Sequence, residues 1–119
     1  MGSTVLIVDD HADFRAFARA LLVAGGFDVI GEAADGAAAL SEARALKPDL
    51  VLLDIQLPDI DGFAVCDELA ADEPAPVVVL TSSRDASSYR NRLGGSSARG
   101  FIPKADLSAP ALAAFAVRA

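Results

Sequence analysis

The sequence has no tryptophan, one tyrosine, one histidine, one methionine and one cysteine in 119 residues. A single cysteine, Cys66, cannot close an internal disulfide, so a disulfide-stapled scaffold is excluded. One histidine cannot build a transition-metal site of the usual nitrogen and sulfur kind, and His11 reads as a polar loop residue. Long apolar runs are absent too. The longest, Ala111 to Val117, is far too short to cross a bilayer, so no membrane span is expected. Met1-Gly2-Ser3-Thr4 offers neither a basic region nor an apolar signal core, and the expected location is cytoplasmic. Positive charge is scarce: 10 Lys+Arg face 17 Asp+Glu, for a formal net charge of −7. Such a chain repels phosphate backbones and anionic lipid, so direct nucleic-acid binding by this domain is not expected.

What is abundant is apolar and aspartic. Hydrophobic residues make up 53% of the chain, enough to bury a core in one compact domain and to exclude a disordered one. Thirteen of the 17 acids are Asp, a residue that favours caps, turns and strand ends over helix interiors, so their positions carry information.

Short apolar runs recur at Val5-Leu6-Ile7-Val8, Phe27-Asp28-Val29-Ile30, Leu50-Val51-Leu52-Leu53, Val77-Val78-Val79-Leu80 and Phe101-Ile102. Each gap between them has room for one helix, and continuous rather than alternating runs suit strands covered on both faces. The pattern predicts an α/β fold with a five-stranded parallel sheet, one domain over residues 1–119. Helical stripes are expected at Phe14, Phe17 and Leu21, at Leu40, Ala43 and Lys47, and at Phe63, Cys66 and Leu69 or Ala70. Gly25-Gly26 and Lys47-Pro48 should end the first two helices. Asp85 to Leu93, rich in weak helix formers, should be short or soft. The last helix should start at Ser108 as cap and run to Val117 before Arg118 and Ala119.

In such a sheet, ligands bind beyond the carboxyl ends of the strands. Those ends carry Asp9-Asp10, Asp54, Thr81-Ser82 and Lys104. Converging carboxylates repel unless a cation neutralises them, and Mg²⁺ suits oxygen ligands. An incompletely caged Mg²⁺ leaves room for phosphoryl oxygens, a carboxylate beside it can attack phosphorus, and a lysine can neutralise the remaining charge. The set is equipped for phosphoryl transfer to Asp.

Val8-Asp9-Asp10-His11, then Asp54 with Leu57-Pro58 and Asp61-Gly62-Phe63, then Leu80-Thr81-Ser82, then Gly100-Phe101-Ile102-Pro103-Lys104 together resemble a response-regulator receiver domain over essentially the whole chain. The resemblance implies a doubly wound, flavodoxin-like (βα)5 fold with strand order 2-1-3-4-5. It implies Asp54 as phosphoacceptor, Asp10 and Asp54 as direct Mg²⁺ ligands, Asp9 acting through metal-bound water, and the Gln56 carbonyl completing the protein's share. Thr81 and Lys104 would bind phosphoryl oxygens, with Thr81 and Phe101 moving as a switch that repacks the fourth helix and fifth strand. A sensor histidine kinase is the implied donor; no outside metabolite is turned over, so the domain is not an enzyme in that sense.

The sequence departs from the family at several points. Ala105 stands where many relatives have a cis proline, so no cis peptide is expected after Lys104. Gly94 to Gly100 is a looser turn than usual, Ser82 is expected to leave access to Asp54 open, and Gln56 and Ser83 fall at positions that tune dephosphorylation. Taken singly, Asp10, Asp54 or Thr81 could serve as a helix cap, Lys104 as a solvated charge and Phe101 as core; capping does not explain their joint placement. Pro58 and Gly62 read as turn-makers, Asp59 and Asp61 as solvated, Cys66 as a core thiol.

Residues 84 to 104 carry Arg84, Arg90, Arg92, Arg99 and Lys104 against Asp85, a local +4 that leaves −11 elsewhere. That basic face, made of the fourth helix, fifth strand and final helix, or the apolar last helix alone, is the expected homodimer or output contact. Residues 101–107 look most like receivers that precede a LuxR-type DNA-binding output, which would lie outside this chain. The competing readings are a receiver-like interaction module that works without phosphorylation, an aspartyl-phosphate hydrolase, disfavoured by Gln56 where a general acid is needed, and a flavin or nucleotide binder, disfavoured by the acidic first loop.

Overall fold

The computed structural model describes residues 2–116. Five β-branched and leucine-rich segments form parallel strands: β1 (Thr4–Val8), β2 (Asp28–Ala33), β3 (Leu50–Asp54), β4 (Val77–Ser82) and β5 (Gly100–Pro103). They alternate with α1 (Ala12–Ala24), α2 (Gly36–Leu46), α3 (Gly62–Ala70), α4 (Arg90–Gly94) and α5 (Ala109–Ala116). The strand order is β2-β1-β3-β4-β5, as the resemblance implies. The chain steps from β1 out to β2, then returns across β1 to β3 and continues the other way. The crevice beyond the ends of β1 and β3 lies at that reversal.

Both faces of the sheet are buried, which is why its strands read as unbroken apolar runs. Leu6, Val8, Val51, Leu53, Val78 and Leu80 pack toward α2 and α3, whereas Val5, Ile7, Leu50, Leu52, Val77 and Val79 pack toward α1 and α5. The alternation follows from the two-residue period of a strand. Asp54 pairs with Thr81 across β3 and β4, so one register fixes both at the same edge.

All five strands run further than their apolar cores, β1 by Thr4 and β3 by Asp54. β2 continues through Gly31 and Glu32, because it is an edge strand whose polar residues can face Arg15 and Arg19. β4 continues through Thr81 and Ser82, and β5 gains Gly100 and Pro103.

The stripe of α1 differs from expectation. Ala18 and Leu22 are buried, Phe14 and Leu21 pack beside them, and Phe17 is 55% exposed. Phe14, Ala18 and Leu22 recur at four-residue spacing, and one residue is about 100° of helical rotation, so turning Ala18 inward turns Phe17 out. On α2, Leu40 and Ala43 face the core, but Lys47 is exposed and serves as a left-handed C-cap at φ 51°, its N–H donating to the Ala43 carbonyl. On α3 the third core position is Leu69, with Ala70 exposed. Gly26 takes the positive φ of 97° that ends α1.

Asp59 and Asp61 are exposed, as expected, and in addition cap helices. Asp61 caps α3 through the Phe63 N–H at 2.7 Å. Asp59 reaches across to α2 and accepts from the Gly36 and Ala37 N–H groups at 2.7 and 3.0 Å, beside the Asp35 cap on Ala38. The loop after β3 is thereby tied to the N-termini of both α2 and α3.

The segment after β4 is a 3-10 turn (Ala86–Tyr89) leading into the single short turn of α4, as the weak helix formers there imply. Ser108 accepts from the Ala111 N–H and caps α5. The predicted end of that helix, Val117 to Ala119, lies outside the described residues. Glu73–Pro74 is a cis peptide, and the bond after Lys104 is not.

The Gly36 and Ala37 N–H groups hold the Asp59 carboxyl below its usual range. A depressed carboxylate contributes stability above its unfolded pKa and loses it as pH falls through the folded value. Asp59→Asn is therefore expected to lower the thermal midpoint at pH 7, with the difference from wild type shrinking below about pH 4. An unchanged gap across an acid series measured by circular dichroism would contradict the cap.

Candidate functional site

Asp9 follows β1 directly and is fully buried, its carboxylate anchored by the His11 N–H at 2.8 Å. Asp54 ends β3 and is 3% exposed. Lys104 follows β5 and enters from the opposite side, its Nζ 2.6 Å from Asp9 Oδ2 and 3.4 Å from Asp54 Oδ2. Asp10 is more open and lies 3.0 Å from His11 Nδ1. Strand ends thus bring Asp9, Asp10, Asp54 and Lys104 together, as the sequence predicts.

Three carboxylates against one ammonium leave two negative charges uncompensated when all are ionised. The strain is visible in Asp54, whose pKa is pushed up to about 6. Burial is the main cause, and Asp9 adds repulsion; the Gln56 N–H, donating to Oδ1 at 3.1 Å, and Lys104 pull the other way. Burial alone would lower the Lys104 pKa, but the Asp9 and Asp54 carboxylates outweigh it and hold the group above its ordinary value. Its stem crosses Phe14, with Nζ 4.4 Å from the ring centroid.

Asp9 Oδ2 is buried without a hydrogen bond, and the ammonium beside it compensates its charge but not its remaining lone pairs. Ligand atoms of Asp9, Asp10, His11 and Asp54 all lie within 4.8 Å of one another. This oxygen-rich, over-negative cluster with an unsatisfied carboxylate oxygen fits a hard divalent cation.

The remaining predicted residues stand one step back. Gln56 meets Asp54 through its N–H. Thr81 is buried beside Asp54 in the sheet, but its hydroxyl donates to the Ile102 carbonyl at 2.6 Å. Phe101 is half-buried, its ring centroid 6.0 Å from that of Tyr89. Ser82 is buried, and its hydroxyl meets the Tyr89 phenol and accepts from the Arg84 N–H. Cys66 is a buried core thiol, and burial raises its pKa.

Sequence reasoning missed Arg15, which donates to the Asp9 carbonyl at 2.8 Å and to Glu32 at 3.1 Å, while Arg19 meets the other Glu32 oxygen at 2.6 Å. The hydrogen bond from Arg19, helped by Arg15, holds the Glu32 carboxyl below its usual range against the opposing effect of burial. The signal was present: two arginines at i and i+4 on the helix that follows Asp10, and Glu32 within the neighbouring edge strand.

A family model described as "Response regulator receiver domain" matches residues 5–113. The chain is 41% identical over 118 residues to a Pseudomonas aeruginosa protein named as a transcriptional regulator, covering 98% of this chain and 57% of that protein. It is 45% identical over 87 residues to the DNA-binding response regulator MtrA of Mycolicibacterium paratuberculosis, covering 71% of this chain and 37% of MtrA. The chain therefore spans little more than half the length of the first relative and about a third of the second. Among solved structures, the signal receiver domain of NarL from Mycobacterium tuberculosis superposes with a TM-score of 0.86 at 35% identity, covering 97% of this chain and 96% of that one. Among the described residues, no helix is long and apolar enough to cross a membrane.

Without a cation, ionising Asp54 works against folding, because its folded pKa lies above its unfolded one. Stability is then highest below about pH 4 on this group's account, and falls as pH rises toward and through 6. In chelator at pH 7.5, Asp54→Asn is expected to stabilise by up to about 3 kcal/mol, with the gain vanishing toward pH 4. Urea melts at the two pH values check this, and a destabilised Asp54→Asn at pH 7.5 would contradict it.

Proposed function

The chain belongs to the receiver domain family of two-component response regulators, and from that premise we propose that it is a phosphorylation switch whose acceptor is Asp54. The observation that carries this reading is the nearly enclosed Asp54 carboxylate, held between Lys104 and Asp9 with its pKa raised to about 6. A carboxylate starved of compensating charge is nucleophilic toward an electrophilic phosphorus brought beside Lys104.

In the step, a lone pair on an Asp54 carboxylate oxygen forms the new O–P bond. The bond from phosphorus to the donor's imidazole nitrogen breaks, and that nitrogen keeps the electron pair. A phosphohistidine of a sensor histidine kinase is the proposed donor; water later cleaves the acyl phosphate. Lys104, which meets Asp54 Oδ2 at 3.4 Å, neutralises a phosphoryl oxygen, and the Gln56 N–H orients the carboxylate through Oδ1. Asp9, Asp10, Asp54 and the Gln56 carbonyl are the proposed holders of Mg²⁺, which supplies charge neutralisation for the phosphoryl oxygens.

Thr81 must leave the Ile102 carbonyl for its hydroxyl to bind a phosphoryl oxygen, and Phe101 follows, changing the face made by α4, β5 and α5. That face, carrying Arg84, Arg90 and Arg92, is the proposed contact for a second copy or an output. By analogy with the named DNA-binding relative, the output is proposed to be a DNA-binding domain outside this chain. The domain turns over only its own phosphoryl group, and its proposed location is the cytoplasm.

Intact mass after incubation with acetyl phosphate should show one phosphoryl adduct that requires both Mg²⁺ and Asp54, and is lost in Asp54→Ala or in chelator. An adduct that persists in Asp54→Ala would move the acceptor elsewhere. No adduct in wild type would favour a module that signals without phosphorylation.

A further inference from the structure

Thr81 and Ser82 are consecutive, and both hydroxyls are committed, in opposite directions. Thr81 donates to Ile102 in β5, on the α1 and α5 side of the sheet. Ser82 shares a 3.0 Å hydrogen bond with the phenol of Tyr89, in the 3-10 turn that precedes α4. Tyr89 is buried, and its ring lies between Phe63 and Phe101, 6.0 Å from each and tilted 54° to each. The outer ring of this stack, Phe63, is covered by the Arg92 guanidinium at 4.2 Å, and Arg92 is held by Asp61 at 2.8 Å. Asp61 in turn caps α3.

The segment from Ala86 to Gly94 has little helical strength of its own, so these few contacts hold it. Of them, only the Tyr89 phenol reaches a residue adjacent to Thr81. The Tyr89 ring also packs beside Phe101, their centroids 6.0 Å apart. A β4 end that turns its Thr81 hydroxyl toward Asp54 carries Ser82 with it, and an inward Phe101 needs room that the Tyr89 ring fills.

We propose that Tyr89 is a positioning residue for the switch: its bond to Ser82 latches the 3-10 turn and α4 in the resting arrangement, and phosphorylation of Asp54 releases it. The inference rests on the reading of Asp54 as acceptor. The latch opposes the switched state by one buried neutral hydrogen bond, and removing it makes that state easier to reach. Phe101 has no hydroxyl, so the phenol that senses the end of β4 belongs to Tyr89.

The chain reports on this latch without a label, because Tyr89 is its one tyrosine and it has no tryptophan. Acrylamide quenching of tyrosine fluorescence, in Mg²⁺ with and without beryllium trifluoride as phosphoryl analogue, reads the burial of Tyr89. The expected result is a quenching constant at least two-fold higher with the analogue, and a raised constant in Ser82→Ala before any analogue is added. In parallel, Tyr89→Phe and Ser82→Ala should take up phosphoryl groups from acetyl phosphate about five-fold faster than wild type by intact mass, although both melt at lower temperature. A merely structural Tyr89 lowers the melting temperature and leaves the rate unchanged. Unchanged quenching or an unchanged or slower rate, in protein that still forms the Mg²⁺-dependent Asp54 adduct, overturns the latch alone. Absence of any adduct in wild type overturns the acceptor reading and the latch with it.

Discussion

Two buried carboxylates, Asp9 and Asp54, and the more open Asp10 beside them face one ammonium, and that imbalance is the constraint to which the rest of the structure answers. Each acid is placed by backbone that cannot easily move: Asp9 and Asp54 sit at the ends of adjacent central strands, and Lys104 follows β5. A parallel sheet covered on both faces makes this rigidity possible, since its dense apolar packing resists the small shifts that would let the charges separate. Burial then raises the cost of every unpaired charge. The result is a site whose excess negative charge a bound cation would relieve.

The same logic orders the periphery. Asp59 and Asp61, in the loop after β3, cap α2 and α3, and Arg15 and Arg19 gather Glu32 of β2 against the start of α1. The walls on the α2 and α3 side are thus fixed by charge-assisted contacts. The side formed by β4, the 3-10 turn and α4 is held by one phenol, a few rings and the Asp61–Arg92 pair. On the proposed reading, a charge change at Asp54 would meet stiff walls on one side and a weakly held segment on the other, which would direct the response toward α4 and β5.

The fold was legible because burial on both faces writes itself as continuous apolar runs, and the site because strand ends concentrate Asp. What the sequence hid depends on distance in space rather than pattern along the chain. The cap made by Asp59 was hidden because its partners, Gly36 and Ala37, lie 23 and 22 residues away. Phe17 looked like core because an aromatic at helical spacing outweighs an alanine by eye, yet the sheet takes Ala18 for its close approach. Arg15 and Arg19 stand at i and i+4 on α1, but their shared partner Glu32 lies 17 and 13 residues away, on another element.

The account stands or falls on whether the excess charge at the strand ends is what recruits the cation. Isothermal titration of Mg²⁺ into wild type, Asp10→Asn and Asp54→Asn, each confirmed folded by circular dichroism, tests it directly. Wild type is predicted to bind one Mg²⁺, with affinity reduced at least ten-fold in either variant. Equal affinity in all three would contradict the account, because the cation would then be held somewhere other than between these carboxylates.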